Sequence, residues 1–362
     1  MLMKANKKNN EAAPYQLIYE QMRNAIRGGE LNGKLPSIAE LTQKFSVSHN
    51  TIKKVLDKLK EQQYLYGMHG KGVYVNDTVT SNPAFQKNIV FYLHIDSYRN
   101  PFYLQALSKL RQLLETGQAN VHFVNSPRQL SEMSGIVDVL LAVDVKKESE
   151  LEVIKSLIGQ EKIIIFNQNF SGWHCVGTDN FRAGYIAMDY LYGKGHRQIG
   201  LLSRDLDIPG CFFDLRYQGA CLFASEHPGM TIFNSESEIS ESRMDEVSAS
   251  LAAKNLFEQT DELTAVFAFT DILALGFVSY CHEAGISIPG DISLLGFDNR
   301  DFSTMLLPPL TTFQENSEEL SRMAMLEISN VVSGKSNSIK QIWVEPFVVE
   351  RESVINIKKK SY

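Results

Sequence analysis

Apolar positions along the chain follow two rhythms, and the change falls at about residue 80. Before it, Ile18, Met22, Ala25 and Ile26, and later Ile52, Val55, Leu56 and Leu59, recur three and four apart. That spacing predicts helices with one buried face. The first should stop at Gly28-Gly29. A short second helix, to about Phe45, opens with Ser37-Ile-Ala-Glu40, a capping box whose Ser and Glu side chains satisfy exposed amides of the first turn. Ser46-Val47 supplies a tight turn, and Ser48 a cap for the third helix. Tyr64–Tyr66 and Val73–Val75 alternate with period two around Met68-His-Gly-Lys-Gly72, so a hairpin with a basic, glycine-bearing tip is expected.

Asn76–Pro83 is polar and proline-ended and reads as a linker. From Asn88 onward, apolar runs of strand length alternate with helical stretches. Strands are expected at 89–93, 121–124, 137–143, 162–166, 199–203, near Thr231, and at 265–269, 292–297 and 310–313. Helices are expected at 101–116, 148–157, 181–192, 213–225, 242–258 and 271–284. Runs such as Val137–Val143 and Ile292–Phe297 suit strands covered on both faces, so parallel sheets with helices on both sides are predicted. Residues 88–357 exceed one comfortable domain of this type, which predicts two lobes. Asp298 follows the strand ending at Phe297, at the carboxyl edge where open α/β sheets bind ligands.

Charge separates the same two regions. Residues 1–77 carry a net +5 and the remainder −11, against −6 for the whole chain. A basic head on an acidic body points to a polyanion as the head's partner. No stretch approaches the ~20 apolar residues of a membrane span. The opening residues lack an apolar secretory core, and the four cysteines have no metal-type spacing. A cytoplasmic protein without membrane contact is the expectation.

In the head, two helices joined by a short turn make a helix-turn-helix. Ser48-His-Asn-Thr51 opens the third helix with small polar donors, and Lys53-Lys54 follows with ammonium groups; these suit base edges and phosphates respectively. Leu35-Pro-Ser37, Val47-Ser48, Asn50-Thr-Ile52 and Gly70-Lys-Gly-Val-Tyr-Val75 resemble the winged helix-turn-helix of the GntR regulators. The resemblance implies a DNA-binding domain over residues 1–77, with a linker at 78–87. It implies DNA contacts from Ser37, Ser48, His49, Asn50, Thr51 and Lys53, and from His69, Gly70 and Lys71 at the wing tip. His49 and Ala39 stand where many members carry Arg, which predicts an unusual operator.

In the body, Asn100-Pro-Phe102, Val176-Gly-Thr-Asp-Asn180, Gly195-His-Arg-Gln-Ile-Gly200 and Val266-Phe-Ala-Phe-Thr-Asp271 resemble LacI/GalR regulators. So do Ile288-Pro-Gly-Asp-Ile-Ser-Leu-Leu-Gly-Phe-Asp298, Pro308-Pro-Leu-Thr-Thr312 and Phe347-Val-Val-Glu-Arg-Glu-Ser353, in the family's order. The resemblance implies an α/β fold in which the small α+β head precedes a two-lobed, type I periplasmic-binding-protein-like domain at 88–357. Two Rossmann-like parallel sheets are expected, with lobe 1 near 88–167 and 302–330 and lobe 2 near 168–300 and 331–357. Chain crossings are expected at Phe166–Phe170, Asn299–Ser303 and Ser329–Gly334. Effector contacts map onto Phe102, Asn167, Arg216, Thr270 and Asp298, which suit a monosaccharide or derivative. Thr270 and Asn167 stand where Asn and Asp are common, so the hydroxyl pattern read should be unusual.

The leading expectation is a homodimeric transcription regulator, a repressor on double-stranded operator DNA, released by a sugar bound between its lobes. The alternatives are an effector that acts as co-repressor or activator, a DNA-binding enzyme, and a solute-binding protein. Neither a Gly-x-Ser-x-Gly elbow, a Gly-x-Gly-x-x-Gly fingerprint, a Walker loop nor a His-Glu-x-x-His motif occurs. No catalytic residue, metal or cofactor is therefore expected.

Overall fold

The computed structural model of the chain describes residues 14–27, 31–62, 64–68, 72–76, 87–94, 97, 101–117, 119–145, 147–204, 206–207, 210–236, 246–336 and 338–360. By contacts the chain divides into two units, essentially the head and the body.

In the head, α1 (Pro14–Arg27), α2 (Ile38–Phe45) and α3 (His49–Glu61) precede a hairpin of β1 (Leu65–Met68) and β2 (Gly72–Val75). The helical spacing does what it predicts: Ile18, Met22, Ile26, Leu41, Ile52, Val55, Leu56 and Leu59 share one core with Leu65 and Val75. The capping box is present, with the Ser37 hydroxyl accepting from the Glu40 amide and the Glu40 carboxylate from the Ser37 amide. Ser46 ends α2 in the left-handed region at φ 53°, and the Ser48 hydroxyl starts α3 by accepting from the Thr51 amide. The hairpin is antiparallel, pairing Leu65 with Val75 and Met68 with Gly72.

Among the described residues the body contains two six-stranded sheets. The first uses β3 (Asn88–Leu93), β4 (Asn120–Val124), β5 (Val139–Val143), β6 (Ile163–Phe166), β7 (His174–Thr178) and, from the far end of the chain, β13 (Gln341–Val344). Its order is β13-β7-β6-β5-β3-β4. The second is ordered β14-β12-β11-β10-β8-β9, from β8 (Gln198–Ser203), β9 (Thr231–Glu236), β10 (Ala265–Ala268), β11 (Ser293–Phe297), β12 (Thr311–Gln314) and β14 (Phe347–Val349). Only β14 runs antiparallel to its neighbour in that sheet. Strands β5 and β6 have no exposed residue, as central parallel strands covered on both faces should.

Helices α4 (Pro101–Thr116), α5 (Pro127–Met133) and α6 (Glu148–Ile158) connect strands of the first sheet. Helix α7 (Asn180–Gly193) leads from β7 of the first sheet to β8 of the second, and α8 (Phe212–Glu226), α9 (Glu246–Gln259) and α10 (Asp271–Ala284) run between strands of the second. Helix α11 (Ser317–Val332) returns to pack on β5, β6 and β7. Helix α5 adds to the expected helices; Ser126 as cap and Pro127 in the first turn start it.

The strands correct all three expected crossings. After Phe166 the chain turns back at Asn167, and β7 joins the first sheet beside β6, pairing Phe166 with Val176. The first exchange therefore falls at Thr178–Asn180. After Asp298 the chain makes a 3-10 turn at Asp301–Thr304 and re-enters the second sheet, because β12 pairs with β11 from Leu295↔Thr311 onward. The second exchange lies at Gln314–Asn316. The segment Ser329–Gly334 is the end of α11, and the third exchange is the step from β13 to β14 at Glu345-Pro346. The expected crossings followed strand ends; neighbouring-strand hydrogen bonds, which the sequence does not display, decided otherwise.

Candidate functional site

At the start of α3, Ser48, His49 and Asn50 are exposed, and so is Lys53 one turn on. Thr51 is half-buried and shares a 2.8 Å hydrogen bond with the Ser48 hydroxyl. Ser37 is exposed, but its hydroxyl already donates to Glu40 at 2.8 Å and accepts from the Glu40 amide. Ser37 and Ser48 thus serve first as helix caps, whereas His49, Asn50 and Lys53 form the open polar face of the helix start. His69, Gly70 and Lys71 lie outside the described residues, as does most of the stretch 78–87.

In the body, left-handed backbone marks where strands end. Among the described residues the non-glycine positions with positive φ are Ser46, Asp144, Asn167, Asp298 and Asn299. All but Ser46 directly follow the carboxyl ends of β5, β6 and β11. Asn and Asp tolerate this region best, and such conformations cluster where a site demands them.

Asn167 is held on both sides. Its Oδ1 accepts from the Thr178 amide at 2.8 Å, and its Nδ2 donates to Glu315 Oε1 at 2.9 Å. Glu315, in the second exchange segment, also accepts from the Thr178 hydroxyl at 2.8 Å. One carboxylate thereby ties two exchanges and a strand end together. Buried Tyr103 hydrogen-bonds to Asn167, and burial with Asp144 and Glu315 nearby pushes its hydroxyl well above the usual phenol range. Phe102 is half-buried, stacked 6.5 Å from the Phe166 ring.

Arg216, on α8, is buried. Its Nε donates to Asn180 Oδ1 at 2.9 Å, its Nη1 donates to the Phe269 carbonyl, and its guanidinium carbon lies 3.4 Å from the Phe297 ring centre. Burial lowers its pKa, opposed by Asp298, Glu315 and Cys211. Asp298 follows Phe297 directly, and its carboxylate lies 3.7 Å from Arg300 Nε. Burial pushes its carboxyl up to about 8; Arg216 and Arg300 pull it down, while Asp271 and Glu315 push it further up.

Several roles differ from expectation. Thr270 is buried and caps α10 by accepting from the Leu273 amide at 3.2 Å, so its hydroxyl is already engaged. Asp271, in the first turn of α10, accepts from the Thr312 hydroxyl at 2.6 Å and the Arg300 amide at 2.8 Å, and burial raises its carboxyl to about 6. Asp179 caps α7, which leaves Asn180 to orient Arg216. Sequence reasoning missed Glu315, Tyr103 and Asp144. Asp144 was visible as a polar residue ending an apolar run, like Asn167; nothing local marked Glu315.

Helices α7 and α8 meet backbone to backbone. A Cβ at Gly184 would lie 1.9 Å from the Arg216 carbonyl oxygen, and one at Gly219 1.9 Å from that of Phe181. The two helix starts are therefore fixed side by side. They border a cleft of about 700 Å³ lined from the first lobe by Asp144, Asn167, Phe170, Thr178 and Trp343 among others, and from the second by Asn180, Phe181, Arg204, Cys211, Phe212 and Leu215 among others. Of the expected effector residues, Asn167 lines it directly. Arg216 lies one turn behind Phe212, its guanidinium carbon 5.5 Å from that ring. Hydrogen-bonding groups, a buried fork and flat rings at the carboxyl edges of two sheets can hold a hydroxyl-rich small molecule.

Comparison with known proteins agrees domain by domain. Residues 14–75 match the bacterial regulatory proteins of the gntR family, and residues 188–354 match the periplasmic binding protein-like domain. The chain is 32% identical over 171 residues to the HTH-type transcriptional repressor PurR of Vibrio atlanticus, a match covering 47% of this chain and 50% of that protein. It thus spans about half of that relative's length. It is 25% identical over 317 residues to PurR of Vibrio cholerae, covering 86% of this chain and 92% of that one. A LacI family transcriptional regulator from Enterococcus faecium, solved with bound ribose, superposes with a TM-score of 0.57 at 22% identity, over 75% of this chain and 100% of that one. Among the described residues, no helix is long and apolar enough to cross a membrane. The chain therefore joins a gntR-family helix-turn-helix domain to a periplasmic-binding-protein-like body with the fold of LacI-family regulators.

Proposed function

We propose that the chain is a DNA-binding transcription regulator, a repressor whose operator affinity is set by a sugar or sugar derivative bound between its lobes. The observation that carries this reading is the gathering of Asn167, Arg216 and Asp298 about Glu315 beside the strand exchanges. A ligand bridging these groups touches both lobes and the segments about which they hinge. It then favours one lobe arrangement by its differential affinity and shifts DNA binding by the same coupling.

In this reading His49 and Asn50 read base edges, Lys53 neutralises phosphate, and His69, Gly70 and Lys71 supply the wing contact. A homodimer would place two heads on the half-sites of a roughly palindromic operator. Residues 78–87 act as the linker between head and body. The repressor names of the relatives and the ribose held by the Enterococcus faecium protein support the assignment.

Asp298→Ala tests it. In a mobility-shift assay the variant should bind operator as the parent does, and sugar should no longer change that binding. An intact sugar response would remove Asp298 from the site.

A further inference from the structure

Within the cleft, Phe181 and Phe212 expose 38% and 46% of their surface. Large rings left open at a cavity wall are more than scattered surface apolar residues. Their placement is rigid, because the contacts at Gly184 and Gly219 allow no slack between α7 and α8. Phe212 lies one turn before Arg216 on α8, its ring lines the cleft, and its centre is 5.5 Å from the buried guanidinium carbon. Trp343 contributes a third ring from the first lobe. It is packed over Gly177, where a Cβ would come within 3.1 Å of both the Trp343 ring and the Asn167 backbone. The aromatic surface is therefore built onto the polar groups from both lobes.

From this geometry we infer that the effector is a two-ring glycoside: one sugar ring hydrogen-bonds at Asn167, and the second stacks on the Phe181, Phe212 and Trp343 faces. The inference rests on the effector reading of the cleft and names the ligand class. The cleft's 700 Å³ supports it, because pockets of ~300–1,000 Å³ enclose drug-sized molecules and a single sugar ring fills only a fraction of that. Flat aromatic faces match the apolar side of a sugar ring and add little to the binding of a lone ring seated deeper.

Titration calorimetry on the full chain, with maltose, cellobiose and lactose against glucose, galactose, ribose and arabinose, tests the inference. At least one disaccharide should bind about tenfold or more tighter than any monosaccharide, a difference of ~1.4 kcal/mol. Phe212→Ala and Phe181→Ala should each lower disaccharide affinity by more than monosaccharide affinity and so remove most of that advantage. Phe212→Leu, which keeps apolar bulk without a flat face, should behave like Phe212→Ala, and unchanged apo melting temperatures would show all three variants folded. Tightest binding by a monosaccharide, with both alanine variants unaffected, overturns the two-ring inference and leaves the effector site standing. Binding by no sugar of either size overturns both.

Discussion

Asn167 donates its side-chain amide to Glu315 Oε1 at 2.9 Å, joining the end of β6 to the exchange segment after β12. Residues 148 apart in sequence thus tie a strand end of the first sheet to the second exchange. Asn167→Ala removes this bond and the one to the Thr178 amide, and puts a side chain without local hydrogen bonding at φ 56°. Leaving the Glu315 carboxylate short of a donor should cost ~1–3 kcal/mol. Scanning calorimetry should show a lower melting temperature; an unchanged one would mean that the pair contributes nothing.

Gly219→Ala tests the helix contact that sets the cleft wall. Its Cβ would meet the Phe181 carbonyl oxygen at 1.9 Å, so α7 and α8 must separate. A loss of ~1–3 kcal/mol or more is expected, read as an earlier denaturant midpoint. Gly193→Ala, with open space around its Cβ, is the control and should be nearly neutral.

Arg216→Lys keeps the charge and discards the planar fork that reaches Asn180 and the Phe269 carbonyl while lying on Phe297. Lysine cannot reproduce that geometry. The variant should melt lower than the parent and lose the stabilisation that a bound sugar gives by mass action. Retention of the full sugar-induced shift would show that the fork is not needed for binding.

Asp298 sets a pH dependence. A carboxyl raised to about 8 in the folded state contributes stability that is complete below its unfolded value of ~3.9 and is lost as pH rises through its folded value. Asp271, raised to about 6, acts in the same sense over a lower range. Melting temperature should therefore fall between pH 5 and 8 by more in the parent than in Asp298→Asn, where about one proton's linkage is removed. Equal slopes would show that Asp298 is already ionised in the folded protein at pH 5, as it is in the unfolded chain.

In the head, Lys53→Ala should weaken operator binding about equally across sequences and reduce the salt slope of log K by about one, as loss of one phosphate contact does. His49→Ala should instead relax base preference. If Lys53→Ala altered preference and left the salt slope unchanged, Lys53 would be a base reader.

By itself the sequence determined the local elements. Helix spacing, the Ser37–Glu40 capping box and the Ser48 cap gave the head its helices, and unbroken apolar runs gave β5, β6 and β11 as buried strands. It also displayed Asp144, Asn167 and Asp298 as polar residues ending such runs, because propensity and periodicity are short-range properties. Only the tertiary structure decided which sheet β7, β12 and β13 enter, and hence where the lobes exchange strands. Pairing partners come from distant parts of the chain, and a strand's own residues do not name its neighbour. For the same reason Glu315 stayed hidden: its role is defined by Asn167 and Thr178, which folding alone brings within 3 Å.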